Sequence, residues 1–298
     1  MTTLKKTSVM TALGMLMLLG VIPAQAKIAG PDRTLEYKVV GDIKLNLHVF
    51  NPEGLKPSDK RSAIVFFFGG GWSGGSPAQF YQQARGFADL GMVAISAEYR
   101  VRSRHKTTPF ECVKDGKSAI RWVRQHAGEL GIDPERIAAA GGSAGGHVAA
   151  CTAVIQGHEE AGEDASVSVI PNAMILFNPV IDTTEKGFGI GKVGKERKTE
   201  ISPCHHVRKG LPPSLVFHGT ADTVVPIENV QRFTKLMKEA GNQCTLVAFE
   251  NKKHGFFNGS WFRSKNNDKD FKLTMDKSIS FLTDLGFLKE PILKEPKQ

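Results

Sequence analysis

The strongest constraint in this sequence is a glycine-flanked serine, Gly141-Gly142-Ser143-Ala144-Gly145, set between two stretches of small apolar residues. Arg136–Ala140 reads as a buried strand and Ala144–Ile155 as a helix. A GxSxG serine at a strand-to-helix corner sits on a strained turn with its hydroxyl exposed. Its glycines let strand and helix approach without side chains between them. Such a corner belongs in a sheet that is covered by helices.

The rest of the chain agrees. Ile43, Leu45, Leu47 and Val49 alternate with polar residues, and Gly41-Asp42 joins them to an earlier strand at Leu35–Val40. That opening is an antiparallel hairpin. Ala63–Phe68 is an unbroken apolar run, the mark of a strand buried on both faces. Met92–Ala97, Ala173–Phe177, Leu215–His218 and Thr245–Phe249 supply further strands. Between them a helix opens at Ser76-Pro77 and ends near Gly91. Another opens at the capping box Thr108-Pro109-Phe110-Glu111 and runs to about Leu130, with Gly131 as its stop. Val230, Phe233, Met237 and Ala240 mark one later helix face; Phe271, Met275, Leu282 and Leu285 mark another. Alternating strands and helices predict a chain of the α/β class. Its sheet is mainly parallel, with an antiparallel N-terminal hairpin and helices on both faces.

The first 26 residues stand apart. Lys5 and Lys6, the apolar run Val9–Ile22 and the small-x-small Ala24-Gln25-Ala26 read as a signal peptide cleaved after Ala26. The run is short for a membrane span, so stable membrane insertion is not expected. The expected location is secreted or periplasmic. Residues 27–298 read as a single domain. The irregular segment 182–211 is either a small cap or a long surface loop, and the charged, proline-bearing tail after residue 288 is expected to fray. The net charge is +9, yet the lysines are scattered, as on a solvated surface; no nucleic-acid partner is expected. The oligomeric state is not legible. Cys112, Cys151, Cys204 and Cys244 form no CxxC or zinc-like spacing. In an exported chain they permit disulfides, with three full pairings. Cys112 and Cys151, near the starts of neighbouring helices, are expected close enough to pair.

A serine hydroxyl needs a base, and the base needs an orienting acid. On a sheet of this kind they follow later strands in the order serine, acid, histidine. Asp222, in His-Gly-Thr-Ala-Asp (218–222), and His254, in Lys-Lys-His-Gly-Phe-Phe (252–257), fit that order. Asp182 also follows a strand and is the rival acid. His48, His126, His147, His205, His206 and His218 read as structural or surface residues. Phe68-Gly69-Gly70-Gly71-Trp72 follows the first buried strand, where glycine N–H groups can face an oxyanion; the N–H of Ala144 is the other expected donor. Trp72, Phe256 and Phe257 are bulky residues close to these positions. Trp72 and Phe256 are the expected substrate contacts, walling off the acyl side or stacking on a sugar or aromatic ring.

These motifs, with Glu-Tyr-Arg (98–100) and Gly-Ile-Asp-Pro-Glu-Arg-Ile (131–137), resemble the α/β-hydrolase esterases related to hormone-sensitive lipase. Within that group the chain is most similar to bacterial bifunctional feruloyl/acetyl-xylan esterase-like proteins, over roughly residues 35–285. The resemblance implies a serine carboxylesterase with Gly70 and Gly71 as oxyanion donors. Its substrate would be a small-molecule ester or an acylated polysaccharide, and no metal or organic cofactor is implied. Two departures stand out: Phe68 replaces the histidine that usually opens the loop, and Gly142 stands where many lipase-like members carry an acid. The alternatives are a peptidase or lipase of the same fold, or a catalytically dead fold used for binding.

Overall fold

The computed structural model describes residues 30–289. The expected leader, residues 1–26, and all of the tail beyond residue 289 lie outside the described residues. In chain order the elements are β1 (Arg33–Val40), β2 (Ile43–Phe50), β3 (Arg61–Phe67), α1 (Tyr81–Asp89, entered through a 3₁₀ turn at Pro77–Phe80) and β4 (Val93–Ala97). Then come α2 (Arg102–His105), α3 (Pro109–Gln125), α4 (Ala127–Leu130), β5 (Ile132–Gly142), α5 (Ala144–Val154) and β6 (Ala173–Phe177). The last are α6 (Ile190–Val193), β7 (Ser214–Gly219), α7 (Ile227–Glu239), β8 (Cys244–Phe249) and α8 (Asp268–Asp284).

The eight strands form one sheet in the order β1-β2-β4-β3-β5-β6-β7-β8. β1, β2 and β4 pair antiparallel, and from β4 to β8 every neighbour is parallel. This is the α/β-hydrolase fold. Two apolar layers flank the sheet. On β3, Ala63, Val65 and Phe67 join the layer under α3, α5 and α7, while Ile64 and Phe66 join the layer under α1 and α8. Strict alternation on a strand buried on both faces explains why the run is apolar throughout. Strand order reverses direction between β3 and β5, and the crevice at the carboxyl ends of the strands there is where such sheets hold ligands.

The Thr108–Glu111 capping box is formed as expected. The helix it opens is shorter than expected. It breaks at His126, whose ring stacks on Trp122 with centroids 3.9 Å apart and whose Nδ1 lies 2.8 Å from the Trp122 carbonyl. Segment 182–211 packs on α3 and the end of α5, with Val193 and Ile201 against Phe110, Val113, Cys151 and Ile155.

The cysteine expectation is corrected. All four thiols are free and buried. Helices α3 and α5 do meet, where Gly116 leaves room for Val148. The two thiols nevertheless face different neighbours. Cys112 donates to the Arg100 carbonyl at 3.1 Å, whereas Cys151 lies 3.6 Å from the Ile201 carbonyl of segment 182–211. Among the described residues, no helix is long and apolar enough to cross a membrane.

Candidate active site

Ser143 occupies the turn between β5 and α5 with φ 56° and ψ −120°. A non-glycine residue is held there only when its surroundings over-determine it. Those surroundings are backbone. A Cβ on Gly145 would lie 2.0 Å from the Phe67 carbonyl oxygen, and one on Gly141 would lie 2.4 Å from the Gly145 oxygen. The flanking glycines therefore let β3, β5 and α5 converge. Gly142 has its own reason: a Cβ there would meet the Phe257 ring at 2.5 Å, so no acidic side chain fits.

Later strands bring two more side chains to the serine. His254 Nε2 lies 2.9 Å from Ser143 Oγ, and His254 Nδ1 lies 2.7 Å from Asp222 Oδ2. An ionised carboxylate only accepts, so Nδ1 carries the proton and Nε2 is left to accept from the serine hydroxyl. Asp222 Oδ1 accepts from the Val224 and Val225 N–H groups at 2.9 and 3.0 Å. Burial pushes the Asp222 carboxyl up. The bond from His254 and these backbone N–H groups outweigh it and hold the group below its ordinary range. Below it, buried His218 lies 2.9 Å from the Val225 carbonyl through Nε2 and 3.4 Å from Asp222 Oδ2. Asp182, the rival acid, is turned away. It pairs with Arg232 at 2.6 Å and accepts from the Thr184 N–H.

The glycine loop after β3 faces the serine. Gly70 has φ 128°, and a Cβ there would meet the Gly74 oxygen at 2.4 Å. Only glycine closes this turn. Among the described residues, the N–H groups of Gly70, Gly71 and Ala144 make no hydrogen bond within the protein. The Gly69 N–H is used: it donates to Gln79 Oε1 at 2.6 Å. Phe68, in the usual histidine position, stacks on Tyr99 with centroids 4.2 Å apart, and the Tyr99 hydroxyl donates to the Phe68 carbonyl. An aromatic stack thus holds the start of the loop.

A cleft of about 310 Å³ opens over Ser143 and His254, with Gly69–Gly71 as one wall. Phe188 from segment 182–211, Phe257, Val224 and Phe262 supply apolar walls. Two expected contacts are elsewhere. Trp72 turns inward at φ 58°, and its ring packs on His147 and Phe188 at 5.0 and 5.7 Å. Phe256 points into the core against Phe249 at 4.6 Å. Its neighbour Phe257 faces the cleft instead, since successive residues of this turn point opposite ways.

Polar supports of the cleft escaped the sequence reading. Gln79 donates through Nε2 to Asn258 Oδ1 at 3.0 Å, and Asn258 donates to the Gly255 carbonyl at 2.9 Å. Asn178, at the end of β6, accepts the Gly255 N–H at 2.9 Å. The loop carrying His254 is thereby fastened to the sheet and to the glycine loop. A lone Gln in an amphipathic turn has no motif to announce it.

This nucleophile, base, acid and set of unpaired N–H groups can carry acyl transfer. Residues 47–237 match the family model BD-FAE. The chain belongs to the BD-FAE family. An acetylxylan esterase of Xylanibacter ruminicola is 32% identical over 235 residues, which cover 74% of this chain and 46% of that protein. Esterase 2 of Thermogutta terrifontis, phosphoramylated by tabun, superposes with a TM-score of 0.82 at 49% identity, covering 87% of this chain and 96% of that one. The same esterase with butyrate bound gives 0.81 at 47% identity, covering 87% and 96%. This BD-FAE chain spans about half the length of the curated relatives it matches.

Proposed function

We propose that this protein is a serine carboxylesterase that removes short acyl groups, acetyl foremost, from a carbohydrate. One observation carries the reading: a serine on a strained turn, 2.9 Å from His254 Nε2, shares a cleft with Gly70 and Gly71, whose N–H groups, like that of the adjoining Ala144, make no hydrogen bond among the described residues. Ser143 Oγ attacks the ester carbonyl as its proton passes to His254 Nε2. The oxyanion takes hydrogen bonds from the three N–H groups, while Asp222 stabilises the imidazolium. The alcohol leaves with the proton from His254. Water then adds to the acyl-enzyme by the same route, releasing the acid and the free serine.

The organophosphorus adduct of the Thermogutta esterase supports a nucleophilic centre, and the acetylxylan esterase relative supports an acetylated saccharide. The leader read at residues 1–26 supports action outside the cytoplasm, where such polymers occur. The test is hydrolysis of p-nitrophenyl acetate and acetate release from acetylated xylan, each with Ser143→Ala. Full loss with a native circular dichroism spectrum is expected. A variant that keeps most of its activity overturns the reading.

A further inference from the structure

A second cavity, of about 390 Å³, lies on the other side of the glycine loop. Gly71 lines the cleft over Ser143, and Trp72, one residue and about 3.8 Å of chain further on, lines the second cavity. Arg102, Lys106 and Lys192 stand around it with Ser73, Thr107 and Thr108.

The charge there is net positive: three cations line the cavity and no carboxylate does. Among the described residues, none of the three cations makes an ion pair. Glu111, the acid beside the rim, is engaged by the N–H and hydroxyl of Thr108 at 2.8 and 2.6 Å. Burial first, and then the charge of Arg102, hold the Lys192 ammonium below its ordinary range. The Thr107 hydroxyl is buried without a hydrogen-bond partner. Like charges gathered around a cavity form a positive potential that favours an anion. A bare ion would leave most of this space empty, since its volume lies near the low end of the ~300–1,000 Å³ typical of small-molecule sites. The hydroxyl residues Ser73, Thr107 and Thr108 in the wall suit a sugar ring.

We propose that this cavity binds the carboxylate or sulfate group of an acidic saccharide whose neighbouring ring presents its ester to Ser143. Lys192 joins the two spaces: its Nζ donates to the Gly71 carbonyl at 2.8 Å and to Ser73 Oγ at 3.0 Å. An anion drawn onto Lys192 therefore also bears on the loop that receives the oxyanion. The role in substrate choice rests on the esterase reading; the anion site itself does not.

Calorimetric titration of the full chain carrying Ser143→Ala separates the two. Trigalacturonate, a sulfated galactose trisaccharide and neutral xylotriose are the probes, at low ionic strength. At least one acidic probe is expected to bind tenfold or more tightly than xylotriose, and which one does so tells carboxylate from sulfate. Arg102→Ala with Lys106→Ala is expected to remove that preference, and Lys106→Gln alone, at an exposed position, to reduce it about threefold. Equal binding of neutral and acidic probes, no binding of either, or an undiminished preference in the variants overturns the proposal. Absence of p-nitrophenyl acetate hydrolysis by the unsubstituted chain would remove the esterase reading and leave the anion site standing.

Discussion

Gln79 and Asn258 tie the two halves of the candidate catalytic apparatus together through a 3.0 Å side-chain bond. The glutamine's oxygen holds the Gly69 N–H, and the asparagine's amide holds the Gly255 carbonyl next to His254. Both side chains are buried, so they act at low dielectric and cannot be replaced by water at small cost.

Gln79→Ala leaves the Gly69 N–H and the Asn258 oxygen without partners. Each unsatisfied buried group costs about 1–3 kcal/mol. The oxyanion loop loses its register to the base, and a displacement of about 1 Å at a reacting centre is worth on the order of 100-fold. A drop in kcat of ~10- to 100-fold is expected, with KM for p-nitrophenyl acetate little changed. A rise in KM at constant kcat would show that the strut serves binding instead.

The two acids separate by their bonds. Asp222→Asn offers His254 Nδ1 an amide in place of a carboxylate, which disfavours the tautomer that leaves Nε2 free; a loss of ~10⁴ in kcat is expected. Asp182→Asn weakens the pair with Arg232 and the hold on Thr184. Its expected effect is a lower melting temperature with kcat retained within about threefold. Urea unfolding and p-nitrophenyl acetate kinetics on both variants read this directly, and a crippled Asp182→Asn would reverse the assignment.

How far this site was legible follows from the kind of signal each residue leaves. Ser143, Asp222 and His254 sit at strand ends in local motifs, so position and chemistry coincide in the sequence. Gln79, Asn178 and Asn258 act across the fold, and each alone reads as an ordinary polar residue. Trp72 and Phe256 were near the site in sequence yet turned from the cleft in space, because turn geometry, not proximity, sets direction. Phe188 faces the cleft from an irregular segment whose path no periodicity reveals. The sheet was the easier part: runs buried on both faces mark parallel strands directly. The break at His126, where the backbone departs from helix to φ −98° and ψ 16°, leaves no periodic trace.

Stability is expected to fall as the pH drops below neutrality. Burial lowers the His147 imidazole to about 4, while the unfolded chain binds that proton near the ordinary value of about 6.5. Between these values the unfolded state holds more protons, so stability is lost as pH falls from about 6.5 to about 4 and then levels for this group. The contribution is roughly 3 kcal/mol. Buried His218 is shifted the same way. Urea unfolding from pH 7.5 to 4.5 checks the slope, and His147→Gln is expected to flatten it. An unchanged slope in the variant would exclude His147 as the source.

Burial raises all four thiols; Cys204 and Cys244 rise to about 11, which keeps them un-ionised at neutral pH. Native protein is expected to react with no equivalent of a thiol reagent within minutes, and protein unfolded in guanidinium with four. Both results are expected without prior reduction. Two equivalents in the unfolded state would reveal a disulfide instead.

Acyl length tests the cleft. Its volume of about 310 Å³ must hold the acyl group and part of the alcohol, and Phe188, Phe257 and Phe262 bound it. An open apolar groove would gain about 0.8 kcal/mol per added methylene, close to fourfold in kcat/KM. A closed one turns that gain into overpacking, at about 1–3 kcal/mol. Along p-nitrophenyl acetate, butyrate and octanoate, kcat/KM is expected to hold between the first two and to fall at least tenfold at the third. Phe188 rests on Trp72, which closes the glycine loop, and lies outside the segments that carry Ser143 and His254. Phe188→Ala is therefore expected to narrow the gap between octanoate and acetate by about tenfold. Val224 and Phe262 are 43% and 42% exposed at the mouth, the one feature here that suits a long chain. A rise toward octanoate in the unsubstituted protein would mean that this apolar rim continues the acyl groove, and would move the substrate from acetylated saccharides to lipids.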